Sequence, residues 1–198
     1  ACVRAVRRAF PRGDEPVGLV RKAMRIDGPE DLDVTLQEEL ASEPRVRLLT
    51  RTLDRGAVLD LYRVCDCFVS LHRSEGFGRG IAEAMLLERP VIATGYSGNT
   101  DFATDETAET VAFETVKVGE GEYPFGVGSY WADASPTDAA ERMRGLISES
   151  QYRQHLIERA RTRIADFCAP GQVGASYRNR LEMFREDAVS STLPNHAA

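Results

Sequence analysis

The chain has 198 residues, 42% of them hydrophobic and 28% charged, which is the make-up of a folded globular protein and excludes wholesale disorder. Net charge is −6, with 25 Lys and Arg against 31 Asp and Glu, a balance that argues against a dedicated DNA or RNA binder. No apolar run approaches the ~20 residues that cross a bilayer. The cysteines Cys2, Cys65, Cys67 and Cys168 and the histidines His72, His155 and His196 have neither zinc-knuckle nor C-x-x-C spacing, so the sequence supports no metal site. Few cysteines and no signal peptide point to a reducing cytoplasm.

The first ten residues read as an amphipathic helix, with Val3, Val6 and Phe10 on one side and Arg4, Arg7 and Arg8 on the other. Pro11, Gly13 and Pro16 break it. A strand is expected at Val17–Val20, a helix at about Pro29–Leu40 and a second strand at Val46–Leu49. Asp54 is placed to cap a helix in which Val58, Leu61, Tyr62 and Cys65 share a face. Strands at Cys67–Leu71 and Pro90–Thr94 flank a helix from about Gly78 to Leu87, and Thr110–Phe113 is a fifth strand candidate. Glu114–Ser135, with four glycines, reads as a long loop. Helices follow at Pro136–Ile147, Tyr152–Phe167 and Val173–Arg185, and Ala188–Ala198 reads as a disordered polar tail. Apolar strands alternating with helices indicate an α/β fold with a doubly wound parallel sheet.

A helix that leads into a strand implies an earlier strand, so the chain is expected to be a fragment whose first strand is missing. That strand would lie mid-sheet, between Val17–Val20 and Cys67–Leu71, and its loss predicts a gap there or a non-native pairing of the two. Unpaired backbone groups at the gap predict marginal stability, aggregation and no catalysis from these 198 residues alone.

The densest signal is Ser70-Leu71-His72-Arg73-Ser74-Glu75-Gly76-Phe77-Gly78-Arg79-Gly80-Ile81-Ala82-Glu83-Ala84-Met85. It sets a glycine-rich turn between a strand and a helix, at the edge of the sheet where open α/β proteins bind ligands. Glycines let amides approach an anion, and the helix N-terminus favours negative charge. Neither a G-x-G-x-x-G fingerprint nor a Walker A loop is present. Glu83, among Ala82, Ala84 and Met85, reads as a partly buried carboxylate that needs donors, which a pair of ribose hydroxyls would supply.

Glu75-x7-Glu83, the following Arg89-Pro90-Val91-Ile92-Ala93-Thr94 and Ser97-Gly98-Asn99 together resemble the donor-binding C-terminal half of a retaining GT-B glycosyltransferase of the glycogen-synthase-like family. The stretch from Tyr123-Pro124-Phe125 to Tyr130-Trp131-Ala132-Asp133 resembles a bacterial subset of that family. The resemblance implies a Rossmann-like domain over residues 1–187. Glu75 would contact the transferred sugar as the catalytic-site carboxylate, Glu83 the ribose, and the amides of Gly76, Phe77 and Gly78 the sugar and phosphates. The family's diphosphate-clamping Arg and Lys would precede Ala1, which leaves Lys22 and Arg73 as basic candidates, with Arg21 beside them. The substrate is then a nucleotide-diphosphate sugar, with no separate cofactor, and the acceptor, a glycan or lipid-linked sugar, would meet a missing N-terminal domain. Hexosyl transfer is the first reading; a truncated, non-catalytic nucleotide-sugar binder is the alternative. An epimerase of the same fold is disfavoured by the glutamate pair with Glu-Ala-Met. Arg159, Arg161 and Arg163 give one helix a basic face suited to peripheral contact with an inner membrane, although Glu158 and Asp166 dilute it and a solvated face is the stronger reading. His72 reads as a satisfied strand-end histidine, and Trp131 as either a stacking surface or a loop anchor.

Overall fold

The computed structural model describes residues 1–23 and 34–192, so positions 29–33 of the expected second helix and the tail beyond 192 lie outside the described residues. Helix α1 (Cys2–Ala9) is followed by β1 (Leu19–Lys22), α2 (Val34–Ala41), β2 (Val46–Leu49), α3 (Arg55–Val64) and β3 (Phe68–Ser70). Then come α4 (Arg79–Leu86), β4 (Val91–Thr94), a 3₁₀ turn at Gly98–Asp101, β5 (Glu109–Val111), β6 (Phe113–Lys117) and β7 (Tyr130–Ala134). Helices α5 (Pro136–Ser148), α6 (Ser150–Phe167) and α7 (Pro170–Thr192) close the order. Among the described residues no helix is long and apolar enough to cross a membrane.

The local signals act as their chemistry requires. The Asp54 side chain accepts from Ala57 N at 2.8 Å, which satisfies one of the orphan amides of α3. Ser135 does the same for Asp138 N at 3.2 Å, and Pro136 occupies the first turn of α5, where its missing N–H costs nothing.

The parallel strands form two sheets, β1–β2 and β3–β4–β5, and β1 is not paired with β3. This is the gap expected between those two strands. The two sheets share an apolar face nonetheless. Leu19 of β1 packs with Val69, Leu71 and Ile92 against Val6 and Ala9 of α1 and against Ala139, Ala140 and Met143 of α5. On the opposite face Val91 and Ala93 meet Ile81, Ala84 and Met85 of α4 and Ala160 and Ile164 of α6. All four residues of β4 are buried, so this strand is covered on both sides. Full burial of a side chain such as Ile92 contributes about 1.5–3 kcal/mol. Arg45 bridges the lead-in segments: its guanidinium donates to Glu43 at 2.7 Å, to Glu15 at 3.1 Å and to the Phe10 carbonyl at 3.0 Å.

Four expectations are corrected. The first strand runs two residues later than Val17–Val20, because the ladder with β2 pairs Leu19 with Val46 and Lys22 with Leu49. The apolar run Thr110–Phe113 is two strands, not one: the chain turns at Ala112, whose N–H donates to the Asp138 carboxylate at 2.7 Å. The long loop Glu114–Ser135 is largely an antiparallel hairpin, β6 pairing with β7 from Phe113↔Ala134 to Lys117↔Tyr130. Its inward positions Ala132 and Ala134 are small, so the buried face leaves little hydrophobic signal in the sequence. The tail is helical through Thr192 rather than disordered from Ala188, since no helix breaker precedes Pro194.

Two acids are held neutral by the fold. Burial pushes the Cys67 thiol from 9.0 up to about 12, and burial, reinforced by a hydrogen bond to Glu109, pushes the Tyr152 phenol from 10.0 up to about 12. Their folded values exceed the unfolded ones, so the stabilisation is complete below about pH 9 and is lost as pH rises through the folded values. The melting temperature is therefore expected to fall steadily between about pH 9 and 12. Tyr152→Phe should flatten the part of the slope above pH 10 in a thermal-melt series.

Candidate functional site

The site is built where β3 and β4 end. Beyond Ser70 the chain makes the turn His72–Gly78 and enters α4, and beyond Thr94 it makes a second turn through Tyr96–Asn99. His72 joins the two: its Nε2 lies 3.1 Å from the Tyr96 carbonyl and its Nδ1 3.1 Å from Ser70 Oγ. Nδ1 also lies 3.2 Å from the Ser70 carbonyl, so both ring nitrogens have partners. The histidine is thus satisfied, as its position at a strand end suggests. Thr94 Oγ1 adds a hydrogen bond to the His72 carbonyl at 2.9 Å.

Ser97 and Gly98 clasp the turn at Glu75. Ser97 Oγ donates to the Glu75 carbonyl at 2.6 Å, Gly98 N donates to the same oxygen at 3.1 Å, and Glu75 N donates back to Ser97 Oγ at 3.2 Å. Ser97 holds a left-handed φ of 78°, a strained conformation sustained by those bonds. A Cβ on Gly98 would sit 2.0 Å from the Gly76 carbonyl oxygen, so only glycine permits this approach. Asn99 is fully buried beneath the turn; its Nδ2 donates to the Thr94 carbonyl at 3.0 Å, while its Oδ1 has no partner among the described residues.

The clasp leaves the turn's amides facing no protein acceptor: among the described residues Gly76 N, Phe77 N and Gly78 N make no hydrogen bond. Gly78, with φ 88°, is the residue before α4, and no side chain caps that helix. A run of unpartnered amides, exposed at Gly76 and Phe77 and buried at Gly78, thus leads directly into a helix N-terminus, an arrangement suited to an anion. The Phe77 ring packs on Phe102 with centroids 5.0 Å apart and thereby anchors the turn, although the residue stays exposed.

The candidate side chains divide. The Glu75 carboxylate makes no hydrogen bond or ion pair among the described residues and is half-buried beside the open amides. Glu83, one helical turn into α4, is 13% exposed, and its Oε1 accepts from Arg55 Nη1 at 2.9 Å, with Arg79 Nε at 3.7 Å. Gly80 lets this part of α4 lie against β3, since a Cβ there would be 3.1 Å from the Phe68 ring. Arg73 leaves the turn toward the hairpin: its guanidinium lies 4.4 Å from the Trp131 ring centre and 3.5 Å from Glu122 Oε1. Lys22, at the end of β1 in the other sheet, donates to the Ala23 carbonyl and makes no bond with the turn. Arg55 and Glu122 are site residues that the sequence did not reveal. Arg55 follows a helix cap and lies 28 positions from its partner, and Glu122 sits in a stretch read as loop. Away from the site, the α6 arginines are engaged with protein groups: Arg159 with the Glu106 carbonyl, Arg161 with Glu88 and Arg163 with the Asp101 carbonyl.

Residues 27–163 match the family model described as glycosyl transferases group 1. No curated protein matches the chain. Among solved structures, HepE of Anabaena in complex with UDP-glucose superimposes with a TM-score of 0.64 at 17% identity, covering 90% of this chain and 44% of HepE. A Rickettsia africae glycosyltransferase gives 0.64 at 16% identity, covering 93% of this chain and 43% of that one. The pneumococcal O-GlcNAc transferase GtfA, in complex with UDP and GlcNAc, gives 0.61 at 17% identity, covering 91% and 32%. At these identities the likeness is one of fold, a GT-B half, and the chain spans less than half the length of each.

The geometry of the clasp is testable. Gly98→Ala should cost about 1–3 kcal/mol in a denaturant titration, because its methyl overlaps the Gly76 carbonyl. Gly76→Ala, where a Cβ meets nothing within 4 Å, should leave the midpoint almost unmoved.

Proposed function

Because the chain belongs to the group 1 glycosyl transferases, we propose that it is the donor-binding half of a retaining GT-B enzyme that moves a hexosyl group from a nucleotide sugar to an acceptor glycan or lipid-linked sugar. The observation that carries this reading is the run Gly76–Phe77–Gly78, whose amides lack protein acceptors and lead into α4 between two carboxylates. Solved proteins of the same fold hold UDP-glucose or UDP with a sugar, which supports a nucleoside diphosphate as the anion.

In this reading the diphosphate lies over the unpartnered amides and the start of α4, with Arg73 of the turn and Arg79 of the first helical turn as basic side chains beside it. Charge that develops on the leaving diphosphate meets donors already in place, so little reorganisation accompanies bond cleavage. Glu83 accepts hydrogen bonds from the ribose hydroxyls and Glu75 from hydroxyls of the sugar, and no separate cofactor is required. Donor binding and transfer are separable steps. A protein that binds the donor but transfers no sugar when joined to an acceptor-binding half would be the non-catalytic alternative.

Two substitutions test the assignment by calorimetry with UDP and UDP-glucose. Glu83→Ala should weaken both ligands by about 1.5–3 kcal/mol, the worth of hydrogen bonds to a charged group. Glu75→Gln should weaken UDP-glucose while leaving UDP affinity unchanged. Equal losses for both ligands would move Glu75 away from the sugar end.

A further inference from the structure

The β6–β7 hairpin is joined to the glycine turn at three levels. On the main chain, Ala132 N donates to the Arg73 carbonyl at 2.9 Å. Between side chains, the Arg73 guanidinium lies over the Trp131 ring, 4.4 Å from its centre, within the range of a cation–π attraction. From the hairpin's connecting loop, Glu122 Oε1 approaches Arg73 Nη1 at 3.5 Å. The β4 side joins in as well, with the Tyr96 hydroxyl donating to the Tyr130 carbonyl at 3.5 Å and the Tyr96 ring 5.1 Å from Phe113.

These contacts differ in what they consume. A ring face takes the flat surface of a guanidinium and leaves its edge, where all five N–H donors point, available. Glu122 takes part of that edge, at a distance longer than a close charged hydrogen bond. Its other oxygen is fixed, accepting from Gly119 N at 2.6 Å. A Cβ on Gly119 would come within 2.9 Å of that oxygen, so a larger residue there would make the Glu122 carboxylate shift. Arg73 and Glu122 are 52% and 46% exposed, which leaves their pairing open to competition from solvent and ligands.

We propose that the hairpin positions Arg73 for the donor: Trp131 holds the guanidinium by its face, and a phosphate oxygen of the nucleoside diphosphate replaces Glu122 at its edge. Trp131 and Glu122 are then positioning residues that act through Arg73, and the hairpin senses an occupied site through a change of partner. The inference rests on the donor-binding reading above and adds to it the residues that set the cation.

Trp131 is the one tryptophan of the chain, so its fluorescence reports directly on Arg73. The test is a UDP titration of the 198-residue chain followed in parallel by calorimetry and by tryptophan emission. The emission is expected to change and to saturate at the calorimetric midpoint. Glu122→Gln, which removes the competing charge, should bind UDP about two- to fivefold more tightly, the range set by an exposed ion pair. A purely structural contact would give weaker binding in that variant. Arg73→Ala should bind about tenfold more weakly and lose the emission change. Trp131→Phe, which keeps an aromatic face, should retain most of the affinity that Trp131→Ala loses. UDP binding in the wild type with silent emission, or unchanged affinity in Glu122→Gln, overturns the clamp and leaves the donor site standing. Absence of any UDP heat in the wild type overturns both.

Discussion

The close approach of Gly98 to the Gly76 carbonyl is the constraint on which the site depends. A parallel sheet ends in strand termini whose following turns run side by side, and here β3 and β4 end in two turns that must touch. They touch backbone to backbone, with no room for a side chain between Gly98 and Gly76. Ser97 accepts a strained φ so that its hydroxyl and the next amide both reach the Glu75 carbonyl. Because that carbonyl is consumed inward, the amides that follow it are left without protein acceptors. The run of unpartnered amides is thus a by-product of how tightly the two turns are joined.

The same logic explains why a divided sheet can still present an ordered site. Every residue of the clasp belongs to the β3–β4–β5 sheet or to the turns beyond it, and that sheet is packed on both faces by α1 and α5 on one side and α4 and α6 on the other. The break between β1 and β3 falls outside this block. Lys22 and Arg21, on the far side of the break, correspondingly make no bond with the turn among the described residues. The β1–β2 sheet is attached through the Leu19 contact with the shared core and through Arg45, which gathers Glu43, Glu15 and the Phe10 carbonyl.

What could be read in the sequence was whatever is written in short-range chemistry. The Asp54 and Ser135 caps, the apolar run of β4 and the glycine turn before α4 each carry their signal within a few residues, and each stands where it was expected. The hairpin escaped because its inward residues are alanines and its strands are separated by the glycine-bearing stretch between Lys117 and Tyr130. Pairing of β6 with β7 is a long-range fact with a weak local trace. The same holds for the partners of the site's charges. Arg55 meets Glu83 across 28 positions, and no spacing rule links a residue at the start of one helix to the middle of another.

Those partners change how the site's electrostatics should be understood. With a net charge of −6 the chain's overall field does not favour an anion, so on the proposed reading the attraction for a diphosphate is local. Among the described residues Arg55 and Arg79 share Glu83, and Arg73 is divided between Trp131 and Glu122. Each carboxylate neutralises a cation that would otherwise repel its neighbours, and each pairing is partly exposed and therefore weak. An incoming anion is met by cations that only need to change partners, while the amides of Gly76, Phe77 and Gly78 need not move at all. On the proposed reading the backbone would set where the phosphate sits and the exchange of ion pairs how much is gained. The energetic difference between occupied and unoccupied states is then small per contact and spread across α3, α4 and the hairpin, three elements that only the fold brings together.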